Sequence, residues 1–246
     1  MGLLQFEDLG TMRYKPCWDY QEKIFKTIIQ RKIDRRDAAD DAALIKLPIP
    51  TSRLLFVEHN HVLTLGKSGD ADNVLVNPAR LAELGVDYFP INRGGDITYH
   101  GPGQLVAYPI MDLDQYFTDI HKYLRMLEEA VIRTCADYAI IAGRIEGLTG
   151  VWVDVESGNK ARKICAFGVK SSRWVTMHGL AFNVDSDLDF FNLIVPCGIV
   201  DRGVTSISKE MGRKVSLDEV KPRLKHHLQS LFGWDETSGL DSAEKC

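Results

Sequence analysis

R-G-G-D-I-T-Y-H-G-P-G-Q-L-V-A-Y, residues Arg93 to Tyr108, places Gly94, Gly95, Gly101 and Gly103 among the polar side chains of Arg93, Thr98, His100 and Gln104. Glycine lets a ligand approach the main chain and permits positive φ, so paired glycines beside hydrogen-bonding side chains read as a loop wrapped around a small molecule. A tight turn entering the strand Leu105 to Ile110 accounts for the glycines alone. It leaves Arg93, His100 and Gln104 without a purpose.

Around this stretch lies a chain of 246 residues, 45% hydrophobic and 26% charged, enough for one sizeable core. The expectation is a single domain over residues 1–246, with its core at about 12–234 and a polar tail at 235–246. The net charge of -4 disfavours a general nucleic-acid binder. The N-terminus has no basic start and no apolar run of signal length, and no stretch approaches the ~20 apolar residues of a membrane span. The expected location is cytoplasmic, without a membrane role. No P-loop or dinucleotide fingerprint is present.

Strand-like and helix-like segments alternate without repeats. Trp18, Gln21, Ile24, Phe25, Ile28 and Ile29 share one helical face, interrupted by the charged run Asp34 to Asp41. Leu54–Glu58 and Val62–Gly66, joined by His59-Asn60-His61, suggest a hairpin in which both histidines sit in an exposed turn. Ile120, Leu124, Leu127, Val131 and Cys135 recur at helical spacing. Three strands, Leu148 to Val155, Lys163 to Lys170 and Trp174 to Val184, form an antiparallel run. Ser216-x-x-Glu219 is a capping box that opens a C-terminal helix, with Pro222 inside it as a kink.

The cysteines, Cys17, Cys135, Cys165, Cys197 and Cys246, are odd in number and lack a C-x-x-C pair, so neither a disulfide framework nor a metal site is indicated. Cys135 and Cys165 read as buried and inert, and Cys246 lies in the tail. Cys197 follows Pro196 and precedes Gly198, where the chain leaves an apolar run. On the residues alone, a structural and a nucleophilic Cys197 are equally open. A thiol of pKa ~8.5 needs a cation nearby to serve as nucleophile, and Lys160, Arg162, Lys163 and Lys170 all compete for that part. Gly179 and Ala181 share one strand face by their spacing, which suits either an alkyl chain or close strand packing.

The stretch 93–108, the lysine segment 162–168, the strand 177–184 and the Pro196-Cys197-Gly198-Ile199 run together resemble the lipoyl(octanoyl) transferases, in family order, over roughly residues 50 to 210. The resemblance implies an α+β fold, a mixed, largely antiparallel sheet flanked by helices as in the biotin and lipoate ligase catalytic domains. It implies an acyltransferase that moves an octanoyl group in protein lipoylation, through an acyl-thioester on Cys197 with Lys163 as its partner, and without a cofactor. The implied donor is octanoyl-acyl carrier protein. The implied acceptors are the lipoyl domains of 2-oxoacid dehydrogenases and the glycine cleavage H protein. Substrate would be lined by Arg93, Gly94, Gly95, Asp96, Ile97, Thr98, Tyr99 and His100, by Ala166, Phe167 and Gly168, and by Gly179, Leu180 and Ala181. Because carrier proteins are acidic, Arg144, Arg162, Lys170 and Arg173 are candidates for a cationic rim. An ATP-dependent lipoate-protein ligase and a non-catalytic acyl- or carrier-binding protein are the alternatives.

Overall fold

The computed structural model describes residues 3–195 and 202–236. In chain order the elements are β1 (Leu3–Thr11), α1 (Tyr14–Arg36), α2 (Asp41–Lys46), β2 (Ser52–Glu58), β3 (Val62–Leu65), α3 (Pro78–Glu83), β4 (Asp87–Pro90), β5 (Ile97–His100), β6 (Gln104–Ile110), α4 (Ile120–Ala136), β7 (Ala142–Ile145), β8 (Leu148–Val153), β9 (Arg162–Ser172), β10 (Val175–Asn183), β11 (Gly203–Val204), α5 (Ile207–Met211), α6 (Leu217–Phe232) and β12 (Asp235–Glu236). Among the described residues no helix is long and apolar enough to cross a membrane.

The large sheet has the order β12-β1-β2-β6-β10-β9-β8-β7, with β11 added beside β9. Its pairs from β2 to β7 are antiparallel, while β12–β1, β1–β2 and β11–β9 are parallel. This is the mixed, largely antiparallel sheet that the resemblance implies. Two-residue alternation divides it into two cores. Leu54, Phe56, Leu105, Ala107, Leu180 and Phe182 pack with α4 and α6 on one face. Leu55, Val57, Val106, Tyr108, Ile110, Met177 and Ala181 pack with α1 on the other.

α1 buries Tyr14, Cys17, Gln21, Ile24, Phe25 and Ile28, a stripe at spacings of three and four that extends one turn further toward the N-terminus than the predicted face. The Asp119 carboxylate caps α4 by accepting from the His121 and Lys122 amides. α6 carries the predicted capping box and continues through Pro222. Cys135 is buried in the core as expected.

Two expectations fail. β2 and β3 do not form a hairpin: β2 lies in the large sheet, whereas β3 is the centre of a separate three-stranded sheet, β4-β3-β5. His59 and His61 therefore mark a crossing between sheets rather than an exposed turn. His59 is fully buried, and the His61 ring stacks on Phe190 with centroids 4.1 Å apart. The polar tail, expected from 235, begins at least two residues later: Trp234 is buried as expected, and Asp235 and Glu236 pair with Leu3 and Leu4 of β1; residues 237–246 lie outside the described residues.

Candidate active site

The Arg93–Asp96 loop joins the two sheets. The Arg93 guanidinium is buried and donates to the Thr64 carbonyl at 2.8 Å and to Thr64 Oγ1 at 3.0 Å in the small sheet. The next residue turns to the large sheet, where the Gly94 amide donates to the Val169 carbonyl at 2.8 Å. Gly95 has φ +85°, a region that favours glycine. A Cβ on Gly168 would lie 2.7 Å from Arg93 Cδ and 3.1 Å from the Gly94 oxygen, so the loop seats directly on bare strand backbone. The glycines thus serve both the turn and the close approach.

Between loop and sheet is a cavity of about 510 Å³. Arg93, Gly94, Gly95, Asp96, Ile97, Thr98 and His100 line it from the small-sheet side. Lys163, Ala166, Phe167, Gly168, Gly179, Leu180 and Ala181 line it from β9 and β10. Register explains the second group: Ala166 faces Ala181 and Gly168 faces Gly179, so four small residues clear one patch of sheet. Tyr99 is not brought to the cavity. It points into the small-sheet core with Leu63, Leu81 and Phe191, its hydroxyl 2.8 Å from His61 Nδ1, because β5 alternates its side chains.

Gln104 acts behind the wall. His100 Nδ1 donates to Gln104 Oε1 at 2.8 Å, Gln104 Nε2 donates to Asn183 Oδ1 at 2.9 Å, and Asn183 Nδ2 donates to the Thr205 carbonyl at 3.0 Å. The Thr205 amide in turn donates to the Lys163 carbonyl at 3.0 Å. This buried chain fixes the glycine-rich stretch to β9 and to the strand that follows position 201.

Lys163 is buried, with Nζ 4.6 Å from the Trp152 ring centroid. Cys197 lies outside the described residues. The described chain on either side of it reaches the cavity, however. Before it, the Leu193 carbonyl and the Val195 amide bond to Leu75 and Asn73, and Asn73 Nδ2 donates to Asp96 Oδ2 at 2.9 Å. After it, Val204 pairs with Lys163 and lines the cavity.

The described cysteines are poor nucleophiles. Burial pushes Cys17 and Cys135 up to about 12 and Cys165 well above the ordinary thiol range. The proposed cationic rim is also reduced. Arg144 pairs with Glu128 and Glu129, and Arg162 with Asp154 and Glu210, partners that local sequence does not reveal. Arg173 is exposed, and Lys170 lies 3.9 Å from Glu22.

Sequence reasoning missed Tyr14, Tyr108 and His178 in the cavity wall. The Tyr14 ring stacks on His100, with centroids 6.0 Å apart. His59 Nδ1 donates to the Met12 carbonyl, so its neutral Nε2 accepts from the Tyr108 hydroxyl at 2.8 Å. Burial pushes His59 down to about 4, and burial together with the nearby His59 pushes His100 down to about 3.

These folded values lie below the ordinary imidazole value, so the folded state binds fewer protons than the unfolded chain. Their contribution to stability is full above about pH 6.5 and declines as pH falls below it, the loss being complete near pH 4 for His59 and near 3 for His100. Melting temperature is therefore expected to drop between pH 7 and pH 5, before most carboxylates titrate. A flat profile over that interval would contradict neutral burial.

With this geometry in place, comparison with known proteins is specific. The lipoyl protein ligase A/B catalytic domain model matches residues 13–229. The octanoyltransferase of Cytophaga hutchinsonii is 56% identical over 92% of this chain and 91% of its own. That of Flavobacterium johnsoniae is 55% identical over 93% and 96%. Among solved structures, the archaeal bipartite lipoate protein ligase of Thermoplasma acidophilum superposes with a TM-score of 0.65 at 18% identity, covering 97% of this chain and 86% of the other. That likeness concerns the fold. The chain belongs to the lipoyl protein ligase A/B catalytic domain family.

Proposed function

We propose that this chain transfers an octanoyl group from acyl carrier protein to a lysine of a lipoyl domain through an acyl-thioester on Cys197. Octanoyl transfer in lipoylation is the activity of its curated relatives, and the chain is an acyltransferase of that kind. The observation that carries the site is the cavity walled by small residues of β9 and β10, with Lys163 in its lining and Val204 leading back from Cys197.

The Cys197 thiolate attacks the carbonyl carbon of the donor thioester. A new C–S bond forms, the bond to the pantetheine sulfur breaks, and the departing thiolate takes a proton from the Lys163 ammonium. The acceptor amine then attacks the acyl-cysteine, expelling the Cys197 thiolate and losing its extra proton to Lys163 or water. Thioester is converted to amide, which is downhill and needs no nucleotide. The small residues leave room for the alkyl chain, and the loop at Gly94–Gly95 closes over it. The enzyme acts in the cytoplasm, on lipoyl domains of 2-oxoacid dehydrogenases and on the glycine cleavage H protein.

Mass spectrometry after mixing with octanoyl-acyl carrier protein tests the reading: one octanoyl group is expected on Cys197 without ATP. An absolute need for ATP and free acid would favour a ligase, and stoichiometric binding without acylation a carrier-binding protein. For Lys163→Met, which keeps the stem and removes the charge, iodoacetamide alkylation of Cys197 at neutral pH is expected to slow roughly tenfold, with the profile displaced about one pH unit upward. An unchanged profile would break the pairing.

A further inference from the structure

His178 is the anomaly of the cavity. It is a non-glycine residue at φ +64° in the middle of β10, and it is only 2% exposed. Such a conformation is unfavourable for a β-carbon-bearing residue in a strand, and it persists where the surroundings enforce it. Here Gln21 of α1 holds the backbone, its Oε1 accepting from the His178 amide at 3.2 Å. Strict alternation would place His178 on the face opposite Gly179, yet its ring lines the cavity, 6.5 Å from that of Tyr108.

Both ring nitrogens of His178 are buried without a hydrogen-bond partner among the described residues. Burial first, and then the cations of Arg93 and Lys170, push its pKa down to about 3. The ring is therefore neutral, with one N–H to donate and one nitrogen to accept. A buried polar group left unmatched is costly, so this wall is built for a group that can do the reverse.

Its depth places that group along the acyl chain. Lys163 Cε lies 3.1 Å from the position of a Cβ on Gly150, a point itself 3.3 Å from the Cys165 carbonyl oxygen, so the lysine head is near the level of Cys165. His178 pairs with Val169, four residues further along β9, or roughly 13 Å at ~3.3 Å per residue. An extended eight-carbon chain, with bonds of ~1.5 Å, reaches roughly 9 Å. A chain running from beside Lys163 along β9 would therefore end on the His178 side, about 4 Å short of its strand position and away from the lysine.

We propose that His178 forms a polar subsite at the ω end of the acyl cavity, which accepts medium-chain acyl groups carrying a terminal hydroxyl. This rests on the cavity being the acyl site. A terminal hydroxyl can accept from the protonated imidazole nitrogen or donate to the bare one, and so matches one of the two, whereas a plain methyl leaves both unmatched. The subsite widens the substrate class from saturated chains to ω-oxygenated ones.

The test compares octanoyl- and 8-hydroxyoctanoyl-acyl carrier protein on the wild-type enzyme, His178→Leu and His178→Asn. Asparagine tolerates positive φ and keeps hydrogen-bonding capacity. The wild type is expected to use the hydroxylated chain within about threefold of octanoyl in kcat/KM, and His178→Leu to discriminate against it at least tenfold more. His178→Asn is expected to fall between. Each enzyme's ratio cancels a general loss of activity. If the wild type rejects the hydroxylated chain by about thirtyfold or more, or if the ratio is the same in all three proteins, the subsite is refuted. Calorimetric binding of octanoate and 8-hydroxyoctanoate to the same proteins separates the two readings. A His178-dependent binding ratio without any transfer would overturn the transferase mechanism and retain the subsite; a ratio independent of His178 would overturn the subsite whatever the turnover.

Discussion

Cys197→Ala is expected to abolish both acyl-enzyme formation and product, with single-turnover transfer falling at least about 10⁴-fold. The expectation follows from what surrounds the cavity. Cys17, Cys135 and Cys165 are buried, and burial raises all three thiols far above neutrality, so none supplies a thiolate in place of Cys197. The chain on both sides of 197 is tied to cavity residues, by Asn73 to Asp96 before it and by Val204 to Lys163 after it. Cys165→Ala is the matched control: it removes a core sulfur and is expected to lower the melting temperature while leaving acylation of Cys197 measurable. Near-normal turnover by Cys197→Ala would overturn the thioester mechanism.

Gly179→Ala is expected to damage the fold more than the chemistry. A Cβ there would lie 2.1 Å from the Ala107 carbonyl oxygen and 2.7 Å from Pro109 Cδ, both on β6. The obstruction is backbone at the centre of the large sheet, and no rotamer relieves it. A loss of about 3 kcal/mol or more is expected, or roughly 6–12 °C in melting temperature for a chain of this size. An alanine variant that melts with the wild type would show that β6 and β10 can part at no cost. The outcome also separates two reasons for glycine in this strand, since Gly168 meets the Arg93 loop while Gly179 meets its own sheet.

Periodicity made much of this molecule legible. The stripes of α1, α4 and α6 and the antiparallel run β8-β9-β10 follow from residue spacing, and so does the shared face of Gly179 and Ala181. Pairing between distant segments was less accessible. Two apolar runs separated by His59-Asn60-His61 look like a hairpin, and only the competition of β1 and β6 for β2, and of β4 and β5 for β3, assigns them to different sheets. The cationic rim is reduced for the same reason: Arg162 meets Glu210, 48 residues away. His178 was hidden in a strand pattern because a positive φ leaves no periodic trace. In the loop, Gly94 and Gly95 announced a close approach, but the sequence could not say that Arg93 would turn inward to Thr64.

That inward turn makes the cavity a seam. One wall belongs to the small sheet and the other to the large, and Arg93 and Gly94 are stitches across it. If the cavity holds the acyl chain as proposed, that chain is mortar as well as cargo, and loading is expected to tighten the joint and delivery to loosen it. The Gly94 amide becomes a natural reporter of this cycle, exchanging its hydrogen more slowly when the seam is filled than when it is empty.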